Sequence, residues 1–230
     1  MFYDSSMLLL IPALLLALWA QSRVKATYAK YDKVPIRSGM SGAEAALRIL
    51  RDQGNDSVTL TRVSGALTDH YDPRNETLSL SEGVYTRASV SAVGLAAHEA
   101  GHAMQKRDGY GPLALRTLVV PAVGIGSNLS IPIFILGLIM SWQPLVYAGI
   151  ILFGLTVVFS LVTLPVEFNA SKRAVGMLSA SGVISGPDEE RGVRAVLNAA
   201  ALTYVAAAIG AVLQLARLIL LSRGMSNRRN

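Results

Sequence analysis

The sequence predicts a mainly α-helical integral membrane protein with three to four transmembrane helices and a small cytoplasmic α+β portion that carries an H-E-x-x-H helix. Three observations support this fold class. The chain has 230 residues, of which 52% are hydrophobic and only 16% are charged. Its apolar residues are gathered into long blocks rather than spread with the period of a helix or a strand, which is typical of membrane spans. The third observation is the pentad His98-Glu99-Ala100-Gly101-His102.

The first apolar block runs from Met7 to Ala20 and is just long enough to span a bilayer with its flanking residues. We interpret residues 6–22 as a signal anchor. A cleaved signal peptide requires Lys or Arg before its apolar core, and the first six residues contain only Asp4 as a charged residue.

The later blocks predict a membrane hairpin and a fourth helix. Residues 118–140 and 145–164 have the length of spans, and Ser141-Trp142-Gln143-Pro144 makes a tight connection between them. Residues 198–221 are rich in Ala and include Gln214 and Arg217, so they predict a full span less strongly.

The positive-inside rule orients the first helix, because basic residues follow it and none precedes it. We expect residues 23–117 to lie in the cytoplasm and the hairpin to return residues 165–195 to the same side. If the last block spans, its arginines disagree with this topology, so an interfacial last block and an inverted topology stay open. The residues concerned are Arg23, Lys25, Lys30, Lys33 and Arg37 after the first helix, and Arg217, Arg223, Arg228 and Arg229 at the end.

Charge and composition narrow the function classes. The net charge of +6 comes from residues that flank the membrane, and no basic stripe interleaved with aromatic residues indicates nucleic-acid binding. The chain has no cysteine, which agrees with a reducing compartment. Because no repeat or low-complexity linker divides it, we expect residues 1–230 to form one domain that is partly in the membrane and partly on it.

The soluble stretch, residues 23–117, contains local sequence patterns that predict a helix and a small sheet. A capping box, Ser41-Gly42-Ala43-Glu44, predicts the start of an amphipathic helix that ends near Gly54. Residues 58–63 and 77–81 alternate with period two and predict strands of a small sheet that precedes the pentad.

The pentad predicts a metal site. Ser89 can cap a helix that contains it and Gly109 follows near the helix end, so the two imidazoles lie about 40° apart on one helical face. Two such histidines suit Zn²⁺, which lowers the pKa of its bound water to about 7. Glu99 can accept that proton and pass it to the leaving amine.

The third ligand has to come from elsewhere in the chain. Only three histidines are present, so an all-imidazole site would need His70, and a carboxylate is favoured. Glu167 follows the hairpin directly, and small residues on its helical face would let that helix approach the pentad closely. The alternative is that Glu167 lies at the membrane interface and forms an ion pair with a neighbouring basic side chain. The face consists of Glu167, Ala170, Ser171 and Ala174, and the bases are Lys172 and Arg173.

The chain resembles the bacterial YugP-type membrane zinc metallopeptidases, and its arrangement is similar to that of the HtpX-type gluzincins. The resemblance covers nearly the whole chain and is carried by residues 69–73, 78–81, 84–85, 96–105 and 165–171. It implies a gluzincin-like site with His98, His102 and Glu167 as zinc ligands and Glu99 as the base. Such relatives usually carry Asp four residues after the third ligand, where this chain has Ser171. The partner of a zinc-bound histidine could therefore be Ser171, Asn169, Asp188, Glu189 or Glu190.

Substrate binding gives two further expectations. Such peptidases resemble one another in presenting a sheet edge to an extended substrate, and we expect residues 77–81 to be that edge, with an inner strand as the alternative. His70, Tyr71 or Tyr85 could donate a hydrogen bond to the oxyanion, although each is more often structural, and His70 could pack against Asp72. The acids at 188–190 begin a helix and are expected to cap it.

Together these features predict a zinc-dependent endopeptidase of the bacterial cell membrane, with its active site on the cytoplasmic side. Its expected partners are the lipid bilayer and a polypeptide substrate that reaches the membrane surface; no oligomeric state is indicated. A site-2-type intramembrane protease is a second hypothesis, but the apolar run around the pentad is too short for a span. A third is a non-catalytic adaptor stabilised by zinc, which would have no use for Glu99.

Overall fold

The computed structural model describes residues 5–226, so Asp4, Arg228 and Arg229 lie outside the described residues. The fold is mainly helical. A 3-10 turn, Ser5–Leu10, leads into the first of seven helices within the described range. These are α1 (Ile11–Asp32), α2 (Gly42–Asp52), α3 (Glu82–Thr86), α4 (Val90–Arg107), α5 (Gly111–Ile139), α6 (Gln143–Ala180) and α7 (Pro187–Ser226).

Four helical segments are long and apolar enough to cross a membrane: Ser6–Asp32, Gly111–Ile139, Gln143–Ala180 and Pro187–Gly224. The prediction of a mainly α-helical membrane protein is therefore confirmed, and the fourth apolar block is among these candidates. The chain divides into two compact units. The first comprises Met1–Ala20, Ala114–Leu164 and Thr203–Asn230, and the second comprises Gln21–Leu113 and Pro165–Leu202.

The first unit contains the predicted hairpin. Helix α5 ends at Ile139 and α6 begins at Gln143, as the tight connection predicted. The two helices approach closely where glycines remove side chains: a Cβ on Gly137 would lie 2.6 Å from the Val146 nitrogen, and one on Gly149 would lie 2.7 Å from the Phe134 Cβ. Large apolar residues of this unit stay exposed, which suits contact with lipid.

The second unit is built around a three-stranded sheet and α4. The capping box is present: the Ser41 side chain accepts from the Glu44 N–H, and the Glu44 carboxylate accepts from the Ser41 N–H. The strands are β1 (Thr59–Val63), β2 (His70–Asp72) and β3 (Thr77–Ser81). β3 lies in the centre, parallel to β1 and antiparallel to β2.

The expectation that residues 77–81 form a sheet edge is wrong. Strand β3 is instead the central strand, and its serines are buried with hydrogen-bond partners. Ser79 Oγ lies 3.0 Å from Thr61 Oγ1, and the Ser81 N–H donates to Asp69 Oδ1 at 2.7 Å. Because these polar groups are satisfied, β3 can occupy the middle of the sheet.

Helix α4 crosses the core of the second unit. Ser89 caps it as predicted, since its Oγ accepts from the Ala92 N–H at 3.2 Å, and Gly109 follows its end with a φ of 64°. Helix α4 packs against α6 at Gly101, where a Cβ would lie 2.7 Å from the Ala170 carbonyl oxygen. The small-residue face predicted on α6 is thus in contact with α4.

We expect Gly101→Ala to destabilise the protein by about 1–3 kcal/mol, because the added methyl group would push the α6 backbone away. Gly94→Ala is the matched control on the same helix. Its Cβ would lie 3.4 Å from Val193 Cγ1, an ordinary contact, and the replacement of a helical Gly by Ala is otherwise favourable. Thermal unfolding of the full chain in detergent measures both. Equal unfolding temperatures for the two variants would contradict the close approach of α4 and α6.

Candidate metal centre

Three potential metal ligands converge inside the second unit. His98 and His102 project from one face of α4, one helical turn apart, and Glu167 projects from α6. One donor atom from each residue lies within 4.8 Å of the others, and all three residues are buried. The convergence depends on the glycine contact described above, because α6 has to lie close to α4 for a carboxylate to reach both imidazoles.

The distances between the donor atoms fit a zinc ion. Glu167 Oε2 lies 3.2 Å from His98 Nε2 and 3.7 Å from His102 Nε2. Bonds of about 2.0–2.1 Å in a tetrahedral arrangement place donor atoms roughly 3.4 Å apart. The two imidazole rings are nearly perpendicular, with an interplanar angle of 85°. The two distances to Glu167 are close to this spacing.

The outer nitrogen of each imidazole also has a polar partner. His98 Nδ1 lies 3.2 Å from Ser171 Oγ, four residues after Glu167 on α6. The resemblance implied Asp at this position, and a hydroxyl group makes the contact in this chain. Among the proposed partners of a zinc-bound histidine, Ser171 makes this contact directly, so His98 presents its Nε2 to the centre.

The acidic residues at the start of α7 have other roles. Glu189 is buried and accepts from the backbone N–H groups of Arg37 and Ser185, both at 2.7 Å. Asp188 and Glu190 pair with Arg191 and Arg194 on the same helix. Glu189 therefore accepts from a backbone N–H just before the helix, as a capping residue does, whereas Asp188 and Glu190 form ion pairs along the helix. Of the two basic residues in the alternative pairing, Lys172 and Arg173, Arg173 binds Asp108 and Asn169, whereas Glu167 contacts the two imidazoles.

The electrostatic environment of the three donor atoms favours a cation. Glu99 follows His98 on α4 and is only 8% exposed. Burial lowers the pKa of His102, but hydrogen bonding to Glu167 and the charges of Glu99 and Glu167 outweigh it and raise that pKa above its ordinary value. A positive charge is therefore stabilised where the three donor atoms meet.

The other predicted site residues lie in the sheet region and are not members of this donor group. His70 is exposed on β2, and its Nδ1 lies 2.9 Å from the Thr68 carbonyl oxygen. Tyr85 is half-buried on α3, with the Arg62 guanidinium 4.3 Å from its ring centroid. Tyr71 packs against the core of the unit, and burial raises the pKa of its hydroxyl group to about 12.

Gln105 is the residue that sequence reasoning missed. It is fully buried, and its Oε1 lies 2.9 Å from His102 Nδ1. Its position three residues after His102 on a helix was the available signal, because that spacing places the two side chains side by side. A side-chain amide on a buried helical face, among alanines and a methionine, is costly unless it forms hydrogen bonds, so its presence there indicates a polar partner.

Comparison with known proteins agrees with this geometry. The chain is 46% identical over 213 residues to "Putative membrane protease YugP" of Bacillus subtilis (strain 168), a match that covers 93% of this chain and 94% of that protein. No solved structure matches. Residues 6–223 match the model of a family described as "putative neutral zinc metallopeptidase", whose cofactor is zinc. The chain belongs to this family of zinc metallopeptidases.

Proposed function

We propose that this protein is a zinc-dependent endopeptidase in which His98, His102 and Glu167 bind the metal and Glu99 is the general base. The observation that carries the proposal is the convergence of three donors, from two distant segments, beside a further carboxylate. Within the described residues the donor group has three members. A structural zinc site closes its fourth position with a side chain, whereas a catalytic site leaves that position to water or substrate.

Each residue has a distinct chemical task in this proposal. A bound zinc ion would polarise the scissile carbonyl and lower the pKa of the water it coordinates. Glu99 accepts a proton from the attacking water and donates it to the leaving amine nitrogen. Its burial keeps bulk water away from that proton, and its place next to His98 on α4 keeps the carboxylate beside the reacting atoms.

An edge strand for substrate is available at β2. With β3 in the centre of the sheet, the unpaired edges belong to β1 and β2, and β2 is the edge strand that contacts α4. We propose that an extended peptide pairs along β2 and that this places its scissile bond at the metal. His70 lies exposed on this strand, which favours it over Tyr85 as the donor to the oxyanion.

The proposed substrates are polypeptides at the cytoplasmic surface of a bacterial membrane. The exposed basic residues of α1 after Ala20 support this orientation through the positive-inside rule. A site-2-type intramembrane protease is less well supported, because the candidate membrane spans do not include α4. A non-catalytic adaptor leaves the buried Glu99 without a role.

Glu99→Gln should abolish proteolysis while the protein keeps its zinc and its fold, because an amide cannot accept the proton. Cleavage of a membrane-anchored reporter and zinc content after purification measure the two properties. Glu82→Gln is the matched control, since Glu82 is exposed on α3 and pairs only weakly with Arg62 at 3.4 Å. Full activity in Glu99→Gln would sink the proposed mechanism.

Glu167→Ala should weaken zinc binding by at least about tenfold, because one of three protein ligands is lost. Competition with a chelator measures the zinc affinity of the full chain. Glu190→Ala is the control, since that carboxylate pairs with Arg194 at the surface. If both variants retained zinc equally, the third ligand would have to be another residue.

The membrane orientation is testable with single cysteines, because the natural chain contains none. We expect Ser38→Cys to react with a membrane-impermeant maleimide only after cells are permeabilised, since it follows the basic end of α1. Trp142→Cys, at the tip of the hairpin, should react in intact cells. The reverse pattern would place the active site outside the cytoplasm and leave the peptidase proposal standing.

A further inference from the structure

The side-chain amide of Gln105 can adopt only one orientation. Its Nε2 lies 2.8 Å from the Val166 carbonyl oxygen and 2.9 Å from Asn169 Oδ1. A backbone carbonyl only accepts hydrogen bonds, so the NH₂ group has to face it. Rotation of the amide by 180° would place two oxygens against each other in a fully buried position, at the cost of an unsatisfied polar group.

The orientation of Asn169 is fixed in the same way. Arg173 Nε donates to Asn169 Oδ1 at 2.8 Å, and a guanidinium group has no acceptor. Asn169 therefore turns its oxygen towards both Arg173 and Gln105. Arg173 is held in turn by Asp108 just beyond the end of α4. Arg173 and Gln105 thus both donate to Asn169 Oδ1, and these two hydrogen bonds fix which end of the Gln105 amide faces α6.

The orientation of the Gln105 amide determines which ring nitrogen of His102 carries the hydrogen. Gln105 Oε1 only accepts, so the His102 nitrogen that contacts it, Nδ1, must carry the hydrogen. A neutral imidazole has one N–H, which leaves the lone pair on Nε2, the nitrogen that faces Glu167. Ser171 does not constrain His98 in this way, because a hydroxyl group can either donate to or accept from an imidazole nitrogen.

We infer that Gln105 is a positioning residue that locks His102 in the metal-binding tautomer, with its own orientation set by Asn169 and Arg173. The inference rests on the proposed function, since it assigns a role to Gln105 only if His102 binds zinc. Partners of this kind change metal affinity by about 10- to 100-fold when they are removed.

Gln105→Met tests the inference, because it keeps the length of the side chain and removes the amide. We expect zinc affinity, measured with Zn²⁺ and a competing chelator on the full chain in detergent, to fall by about 10- to 100-fold. We also expect a slowly exchanging His102 Nδ1–H signal in the zinc-bound protein labelled with ¹⁵N-histidine, and its loss in the variant. With three histidines in the chain, such spectra contain few signals.

Two matched variants separate positioning from stability. Asn55→Leu removes another buried amide that contacts α4, where Asn55 Nδ2 lies 3.7 Å from Met104 Sδ. It should lower the unfolding temperature without a change in zinc affinity or in the Nδ1–H signal. Asn169→Asp keeps an oxygen that can accept from both Gln105 and Arg173, so we expect zinc affinity within about threefold of the natural protein, well short of the loss that follows removal of a ligand's partner.

Each outcome decides the matter. A wild-type Nδ1–H signal and wild-type zinc affinity in Gln105→Met would overturn the positioning role, as would an equal loss of zinc affinity in Asn55→Leu. A large loss in Asn169→Asp would contradict the proposed direction of the hydrogen bonds. If the natural protein itself bound no zinc, the proposed function would fail rather than this inference alone.

Discussion

The metal centre depends on one close backbone contact, that of Gly101 on α4 with Ala170 on α6. A Cβ at Gly101 would lie 2.7 Å from the Ala170 carbonyl oxygen, so no other residue fits without a shift of the helices. Several polar contacts of the site cross this interface: Glu167 reaches both imidazoles, Ser171 reaches His98, and Gln105 reaches the α6 backbone. These contacts are 2.8–3.7 Å long, and the hydrogen bonds among them leave little tolerance, because a hydrogen bond weakens rapidly once its atoms separate.

Burial makes this interface specific as well as tight. His98, His102, Gln105 and Glu167 are all less than 9% exposed, and a buried polar group without a partner costs about 1–3 kcal/mol. Because each outer imidazole nitrogen and the Gln105 amide have partners, the helices lose several hydrogen bonds together if they slide. The polar residues therefore fix the register of α4 against α6, whereas the alanines between them only permit the approach.

Local patterns predicted much of this structure. The capping box at Ser41, the Ser89 cap, the four apolar helices and the carboxylate at Glu167 all depend on spacing within a short stretch or on residue type. The position of β3 could not be predicted in this way, because the alternation of residues 77–81 reports a strand but not its neighbours. The role of Gln105 was equally hidden, since its partners Val166 and Asn169 lie about sixty residues away and become neighbours only through the fold.

In the proposed site, the position of Glu167 would couple metal binding to the fold. An ionised carboxylate in a buried part of a long, largely apolar helix is costly unless positive charge accompanies it. The surrounding side chains supply imidazole nitrogens at 3.2 and 3.7 Å, whereas Arg173, on the same helix, binds Asp108 and Asn169. A divalent cation bound by the same three donors offsets that cost more fully than a proton can. The energy that binds the ion is then also the energy that holds α6 against α4.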